Sequence, residues 1–417
     1  MSVQEPVHRS SLIVHRSLLI RLAAVAYILH ILFHPKIALL MIWAFATVLA
    51  IAWAIARGDA RFSFHVFYYP LILFGAVSTI SALAADRRIH SWGENTLWFK
   101  MLIFPAALIL FREAPRIRER VLYAYALLAG GSSVWALIQF AFLGYRDLEH
   151  RISGPASHVM TFSGILLPLS LMFLLLWWHE RKPLWLAVTV ISTITLLLTF
   201  TRSVWIGWMA AVLVLLMLVR SRVRFYALPA LLLFITLLPL PLFSRLMSTF
   251  DLREESNFDR IRMIEAGVEM IKDHPLLGVG PANVKEAYPL YKKHDAPRAR
   301  PPHLHNNFVQ LWAERGILGL AAYLVLIGLV LRQCAIAWRG GNRMWAEIGV
   351  AVTVSLTVAG LFEFNFGDTE VFYLMLNLFA LLAASTQEGG RPVRHGLTAD
   401  ETSALHGPNV PASAAVT

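Results

Sequence analysis

Residues 302–319 read PHLHNNFVQLWAERGILG, a polar stretch that runs directly into an apolar one. His305 is the first residue there with a chemistry to offer. An imidazole titrates near neutrality, so it can take a proton from a hydroxyl and give it back. Asn306, next in the chain, has an amide that could orient a substrate or the ring itself. His303 is a rival for the same role, and an interfacial histidine in a polar loop is the ordinary alternative for either. Gly316 and Gly319 stand three apart, a spacing that lets another helix approach closely.

Arginines form a second constellation. Arg202, in TFTRS, lies between two apolar runs with no loop to absorb its charge, which marks it as functional unless it snorkels to the interface. In FDRIRMIEAGVEMIKDHPLLGVG, Ile261, Ile264, Val268 and Ile271 repeat at helical spacing, and Asp259 is placed to cap the start. The helix is expected to end at His274-Pro275, with Gly278 and Gly280 making the turn that follows. On this helix Arg262 falls on the polar face beside Glu265 and Glu269, where an ion pair explains it. Arg260 falls on the apolar face beside Ile264, Gly267 and Ile271, so it must snorkel or meet an anion. Arg151, in HRISGPASH, is a third candidate. Guanidiniums that converge suit a phosphate or pyrophosphate, which they bind through bidentate, charge-assisted hydrogen bonds.

The elements that must position these groups are membrane helices. The chain has 417 residues, 57% hydrophobic and 15% charged, with a mean hydropathy of +0.60. A soluble domain carries about 25% charged residues. Apolar runs long enough to cross a bilayer recur along most of the length and predict an all-α polytopic membrane protein with about twelve transmembrane helices. Nine fall in residues 1–243, one of them near 225–243, and three in 316–386. Residues 244–315 form one long loop with helical patterning, read as an ordered subdomain that carries Arg260 and His305. Residues 387–417 are polar and read as a disordered tail.

Basic residues collect in alternating short loops, as in Arg57 and Arg61 or the run Arg112, Arg116, Arg118 and Arg120. That side is expected to be cytoplasmic, with both termini, and the long loop then faces outward. Topology accounts for the net charge of +11 without nucleic acid as a partner. The start, with Arg9 and Arg16 before the first apolar run and no small-residue cleavage site, reads as a retained helix. A single cysteine, Cys334, excludes an internal disulfide. No Gly-rich phosphate loop leads to Lys-Ser/Thr, which argues against an ATP-driven pump. No outward Asp-x-Asp element offers the carboxylates of metal-dependent sugar transfer, so neither a metal nor a cofactor is expected. Intramembrane acids are sparse for a proton-coupled transporter; Glu363 and Asp368 lie near the outer end of the last two helices.

Taken together, these features resemble the O-antigen ligase/O-antigen polymerase family, most closely its O-antigen ligases. The pattern His-Asn, nine residues, Gly-x-x-Gly is met by His305-Asn306 and Gly316–Gly319. A second pattern, Arg, a short helix, then His-Pro-x-x-Gly-x-Gly, is met by Arg260 and by His274, Pro275, Gly278 and Gly280. TFTRS with Arg202 is a third, and RISGP with Arg151 a looser fourth. Ile264 stands where an aromatic residue is usual. The motifs cover roughly residues 140–320 and single out His305 over His303.

The resemblance implies a GT-C-like glycosyltransferase at the periplasmic face of a Gram-negative inner membrane. Its donor would be an O-antigen glycan on undecaprenyl pyrophosphate, and its acceptor a sugar hydroxyl of lipid A–core. It implies His305 as the base and Arg202, Arg260 and Arg151 as the pyrophosphate site, working without a metal and with inversion. An O-antigen polymerase or a protein O-oligosaccharyltransferase shares this donor chemistry. A lipid-linked glycan flippase is the alternative from another class.

Overall fold

A computed structural model describes residues 7–93, 96–218 and 240–387. The described residues are helical throughout, as the apolar runs predict: α1 (Val7–Leu32), α2 (Ile37–Ala56), α3 (Tyr68–Ala84), α4 (Arg88–Trp92), α5 (Thr96–Met101), α6 (Ile103–Glu113), α7 (Ile117–Phe142), α8 (Val159–Glu180), α9 (Pro183–Leu198) and α10 (Arg202–Leu218). There follow α11 (Leu240–Met247), α12 (Glu255–Asp273), α13 (Val284–Tyr291), α14 (Asn307–Arg339), α15 (Arg343–Ala359) and α16 (Thr369–Gln387). Six of the described segments are long and apolar enough to cross a membrane, and four shorter apolar helices accompany them. The chain is a polytopic helical membrane protein. The span expected near 225–243 and the tail lie for the most part outside the described residues.

Two helices form the centre. Almost 90% of the apolar windows of α8 and α16 is buried inside the protein, against 28% for α2, whose remaining faces suit lipid. Around them α10 packs on α15, α14 on α3 and α15, and α16 on α6. The expected single helix at 96–111 is two, α5 and α6, which part at Leu102.

Residues 244–315 are ordered over a small core of their own, in which Met263, Ala266 and Met270 of α12 meet Val284, Tyr288 and Leu304. Two expectations change here. The buried face of α12 is the Met263–Ala266–Met270 stripe, whereas Val268 is exposed and the isoleucines only half-buried. Nor is Asp259 the cap. Glu254 caps the helix by accepting from the Asn257 backbone N–H, and Asp259 sits one turn in, paired with Arg298.

The subdomain is fastened to the bundle where α14 breaks. Gly316 has φ +67° and ψ −175°, a left-handed interruption inside an otherwise continuous helix. The break releases hydrogen-bonding groups of the ladder, and the His-Pro-x-x-Gly-x-Gly loop takes them up. Ile317 N–H donates to Pro275 O at 2.9 Å, while Val279 and Gly280 N–H donate to Ala313 O (2.8 Å) and Glu314 O (3.0 Å). The Ser81 hydroxyl of α3 lies within hydrogen-bond distance of Leu277 O and Glu314 O, which ties a third element to the joint. Gly278 is left-handed as well, and a Cβ there would stand 2.3 Å from the Glu314 carbonyl carbon. The Gly316–Gly319 spacing therefore admits a loop at Gly316 rather than a second helix, and at Gly319 the near neighbour is Arg315 of the same helix.

A Cβ on Gly316 would fall 1.8 Å from Leu276 O, and the backbone strain adds to that clash. Gly316→Ala is expected to cost about 3 kcal/mol or more and to lower the thermal midpoint in detergent sharply. Gly328→Ala, on the same helix with open space around the new methyl, should be neutral or stabilising by up to about 1 kcal/mol. Equal midpoints for the two variants would contradict the clasp.

Candidate functional site

Above the joint lies a cavity of about 670 Å³ lined by residues from well-separated parts of the chain, among them Arg151, Arg202, Arg245, Arg260, His303, His305, Glu363 and Asp368. The structure thus brings together every arginine singled out in the sequence, and both histidines.

His305 is placed by backbone geometry. Its φ is +52°, a left-handed conformation that a β-carbon disfavours and that persists only where the surroundings enforce it. The enforcement begins at the next residue. Asn306 caps α14, with its side-chain oxygen accepting from the Phe308 and Val309 N–H groups at 2.9 and 3.0 Å, while its amide donates to Leu361 O at 2.9 Å. Asn307 N–H donates to Gly360 O at 2.7 Å. The start of α14 is therefore stitched to the loop between α15 and α16. The side-chain contacts of Asn306 are to main chain, so it positions the backbone of His305.

The same loop supplies a group the sequence reading passed over. His305 Nδ1 lies 2.9 Å from Glu363 Oε2, and His303 Nε2 lies 3.6 Å from the other carboxylate oxygen. With Nδ1–H donating to the carboxylate, Nε2 of this pocket-lining ring carries the lone pair that a base needs. Burial pushes Glu363 up, but the hydrogen bond and charge of His305, then His303 and Arg260, outweigh it and hold the carboxyl at about 2. His303 goes the other way: burial lowers it to about 4, against the pull of Glu363. The signal for Glu363 was an acid in the otherwise apolar GLFEFNFG between two spans, a position with a functional presumption of its own.

The arginines divide into two kinds. Arg202, buried to 4% exposure, donates to Ser248 Oγ (2.9 Å), Asn257 Oδ1 (2.8 Å) and Glu254 Oε2 (3.0 Å). Arg245, unnoticed in the sequence because it sits where a span was expected to end, pairs with the other oxygen of Glu254 at 3.1 Å. Arg202 holds residues 248–257 to the head of α10, and Arg245 braces Glu254 from within the same segment. Arg260 and Arg151 have no hydrogen bond or ion pair to any described residue and face the cavity. Burial lowers both from their ordinary value, partly offset by Glu363, and each is also lowered by neighbouring arginines. Such a cluster of cations is stabilised by an anion. Arg262, by contrast, pairs with Glu265 at 2.7 Å and Asp295 at 2.5 Å, as its place on the polar face requires.

Ligand atoms of His303, His305 and Glu363 lie within 4.8 Å of one another, a grouping that could hold a divalent ion. The charge of Arg260 reaches both His303 and Glu363 and opposes a cation there. The geometry is better suited to a base beside an anion site.

Residues 187–324 match the family model for O-antigen ligase. They include Arg202, Arg245, Arg260 and His305, and the match supports assignment to that family, whose members are glycosyltransferase-like. No curated protein matches the chain.

Two shifted groups at the site contribute to the acid response of the folded state. His303 is lowered on folding, so between pH 6.5 and about 4 the unfolded chain binds more protons and stability falls with pH. Glu363 adds a second loss only between pH 4.5 and about 2. Thermal midpoints of His303→Gln should therefore be flatter than wild type from pH 6.5 to 4. An unchanged slope in that window would show that His303 is not buried neutral.

Proposed function

We propose that the chain is an O-antigen ligase, which transfers a glycan from undecaprenyl pyrophosphate to a sugar hydroxyl of lipid A–core at the periplasmic face of a Gram-negative inner membrane. The observation that carries this reading is the pairing, in one cavity, of a carboxylate-oriented histidine with two unpaired arginines. Both termini would be cytoplasmic, and the helices would form a GT-C-like scaffold that keeps the site at the outer surface, with the lipid parts of both substrates left in the membrane.

In the proposed reaction His305 Nε2 removes the acceptor hydroxyl proton as its oxygen attacks the anomeric carbon. The bond from that carbon to the pyrophosphate oxygen breaks, undecaprenyl pyrophosphate leaves with the electron pair, and the anomeric configuration inverts. Glu363 stabilises the imidazolium that forms. Arg260 and Arg151 neutralise charge growing on the leaving group, while Arg202 and Arg245 secure the wall behind them. Preorganised cations in a partly dry cavity are commonly the largest contribution to such catalysis. They would serve in place of a metal, so the reaction is read as metal-independent and free of cofactors.

The deciding assay incubates the purified protein with undecaprenyl-pyrophosphate-linked glycan and lipid A–core in EDTA. Glycan on lipid A–core is expected. Elongation of the lipid-linked chain instead would mark a polymerase, glycan on a protein an O-oligosaccharyltransferase, and strong inhibition by EDTA would overturn metal independence. His305→Ala should lose on the order of 10²–10⁴ in rate while remaining folded; a folded variant with full activity would remove the base. Glu363→Gln should slow transfer in a variant that stays folded, because the imidazolium that forms then lacks its counter-charge; transfer at the wild-type rate would remove Glu363 from the proposed reaction.

Arg260→Ala and Arg262→Ala separate the two faces of α12. The first is expected to reduce turnover by about 10²-fold or more, as loss of a preorganised donor does. The second breaks ion pairs to Glu265 and Asp295 and a stack on Phe258, all away from the cavity, and should leave turnover within a few-fold. Equal losses in folded variants would refute the assignment of Arg260.

A further inference from the structure

A reaction on a polyprenyl-linked donor leaves a long hydrocarbon to be housed, and the arginine cavity is too polar for it. On the flank of the bundle is a second cavity of about 620 Å³, lined by Leu32, Phe33 and Leu39 around the α1–α2 turn, by Leu127, Gly131 and Trp135 of α7, and by Pro155. Lys36 at its rim is its one charged lining residue. Two hydrogen-bonded ties connect its walls to the walls of the arginine cavity. Gln139, one turn beyond Trp135 on α7, grips the turn at residues 153–154 through Ser153 N–H, Gly154 N–H and Gly154 O. That turn has Arg151 at one end, in the arginine cavity, and Pro155 at the other, in the groove. On the opposite wall His34, in the α1–α2 turn, hydrogen-bonds Glu370 O at 2.8 Å, two residues after the cavity-lining Asp368.

We propose that this groove seats the polyprenyl chain of the donor, with its pyrophosphate carried across residues 152–155 to Arg151. The proposal rests on the lipid-linked-donor reading and deepens it by giving the hydrocarbon a place. Three features favour a polyisoprenoid diphosphate. The lining is hydrocarbon apart from the Ser132 hydroxyl and Lys36, whose cation suits a phosphate at the rim. The groove opens to the lipid side, where α7 exposes Leu127 and Trp135. One end of it stands one short turn from an arginine with no ion pair among the described residues. A bilayer phospholipid fits the same hydrocarbon lining but gives no reason for the groove to abut that arginine.

Gly131 permits a test, because a Cβ there meets nothing within 4 Å, so a larger side chain can start into the groove without a clash at its base. Gly328, equally open but on α14 away from the groove, is the matched control. Gly131→Trp should raise KM for the undecaprenyl-linked donor by about tenfold with kcat within about twofold, the signature of lost uniform binding. It should leave a geranyl-linked donor unaffected, and Gly328→Trp should change neither. No change with either donor, or an equal loss with both, would overturn the proposal.

A second arm needs no turnover. Photoreactive undecaprenyl pyrophosphate without glycan is expected to label α7 between Leu127 and Trp135, and excess undecaprenyl pyrophosphate should compete where phosphatidylglycerol does not. Equal competition by phosphatidylglycerol would make the groove an ordinary lipid contact and overturn the assignment. Should the wild-type protein transfer glycan from neither donor, the ligase reading falls while this labelling still decides what the groove holds.

Discussion

The structure turns on one unsatisfied stretch of helix. A helix interior closes its own hydrogen bonds, and leaving buried amides or carbonyls open costs about 1–3 kcal/mol each. At Gly316 the α14 ladder is broken, and the groups it frees are satisfied by the loop that follows α12, with the Ser81 hydroxyl sharing Glu314 O. Loop and helix are thus each other's hydrogen-bond partners, and neither is fully satisfied alone. This lock fixes α12, with Arg260, relative to the start of α14, with His305. Glycine is demanded on both sides of it, at Gly278 and Gly316, by left-handed backbone and by contacts closer than a β-carbon can make.

Around that lock the charges are arranged in pairs and singles. Glu254 occupies two arginines, Arg202 and Arg245, and in doing so fastens α10 to the outer loop. Glu363 engages two histidines. Arg260 and Arg151 are left over. Paired groups make walls and unpaired ones make a site, because a buried charge without a protein partner is tolerable chiefly where a ligand or solvent completes it.

Much of this was legible in the sequence. Helical spans and the different surroundings of Arg260 and Arg262 follow from hydropathy and from 100° per residue, which need no knowledge of the tertiary fold. What failed was local or distant. Asp259 looked like a cap because its type is right, but the chain had a longer carboxylate at Glu254 already in place. The core stripe of α12 was misassigned because Met263 and Met270 are flexible enough to be buried where isoleucine is only grazed. Glu363 was hidden by 58 residues of separation from His305, since spacing along a chain says nothing of contacts made by loops at the ends of different helices. Arg245 was masked by its position at the edge of a predicted span.

The stitching of Asn306 and Asn307 to residues 360–361 has a consequence for biogenesis. Glu363, which pairs with His305, follows α15 in the chain, so it is made after every arginine of the cavity. Until α15 and the loop after it are made, the imidazole has neither its carboxylate partner nor the main-chain anchors at residues 360–361 that hold its left-handed backbone. A ribosome-bound chain therefore carries the arginines of the cavity before the imidazole has its partner, and the pairing is completed only by the α15–α16 loop.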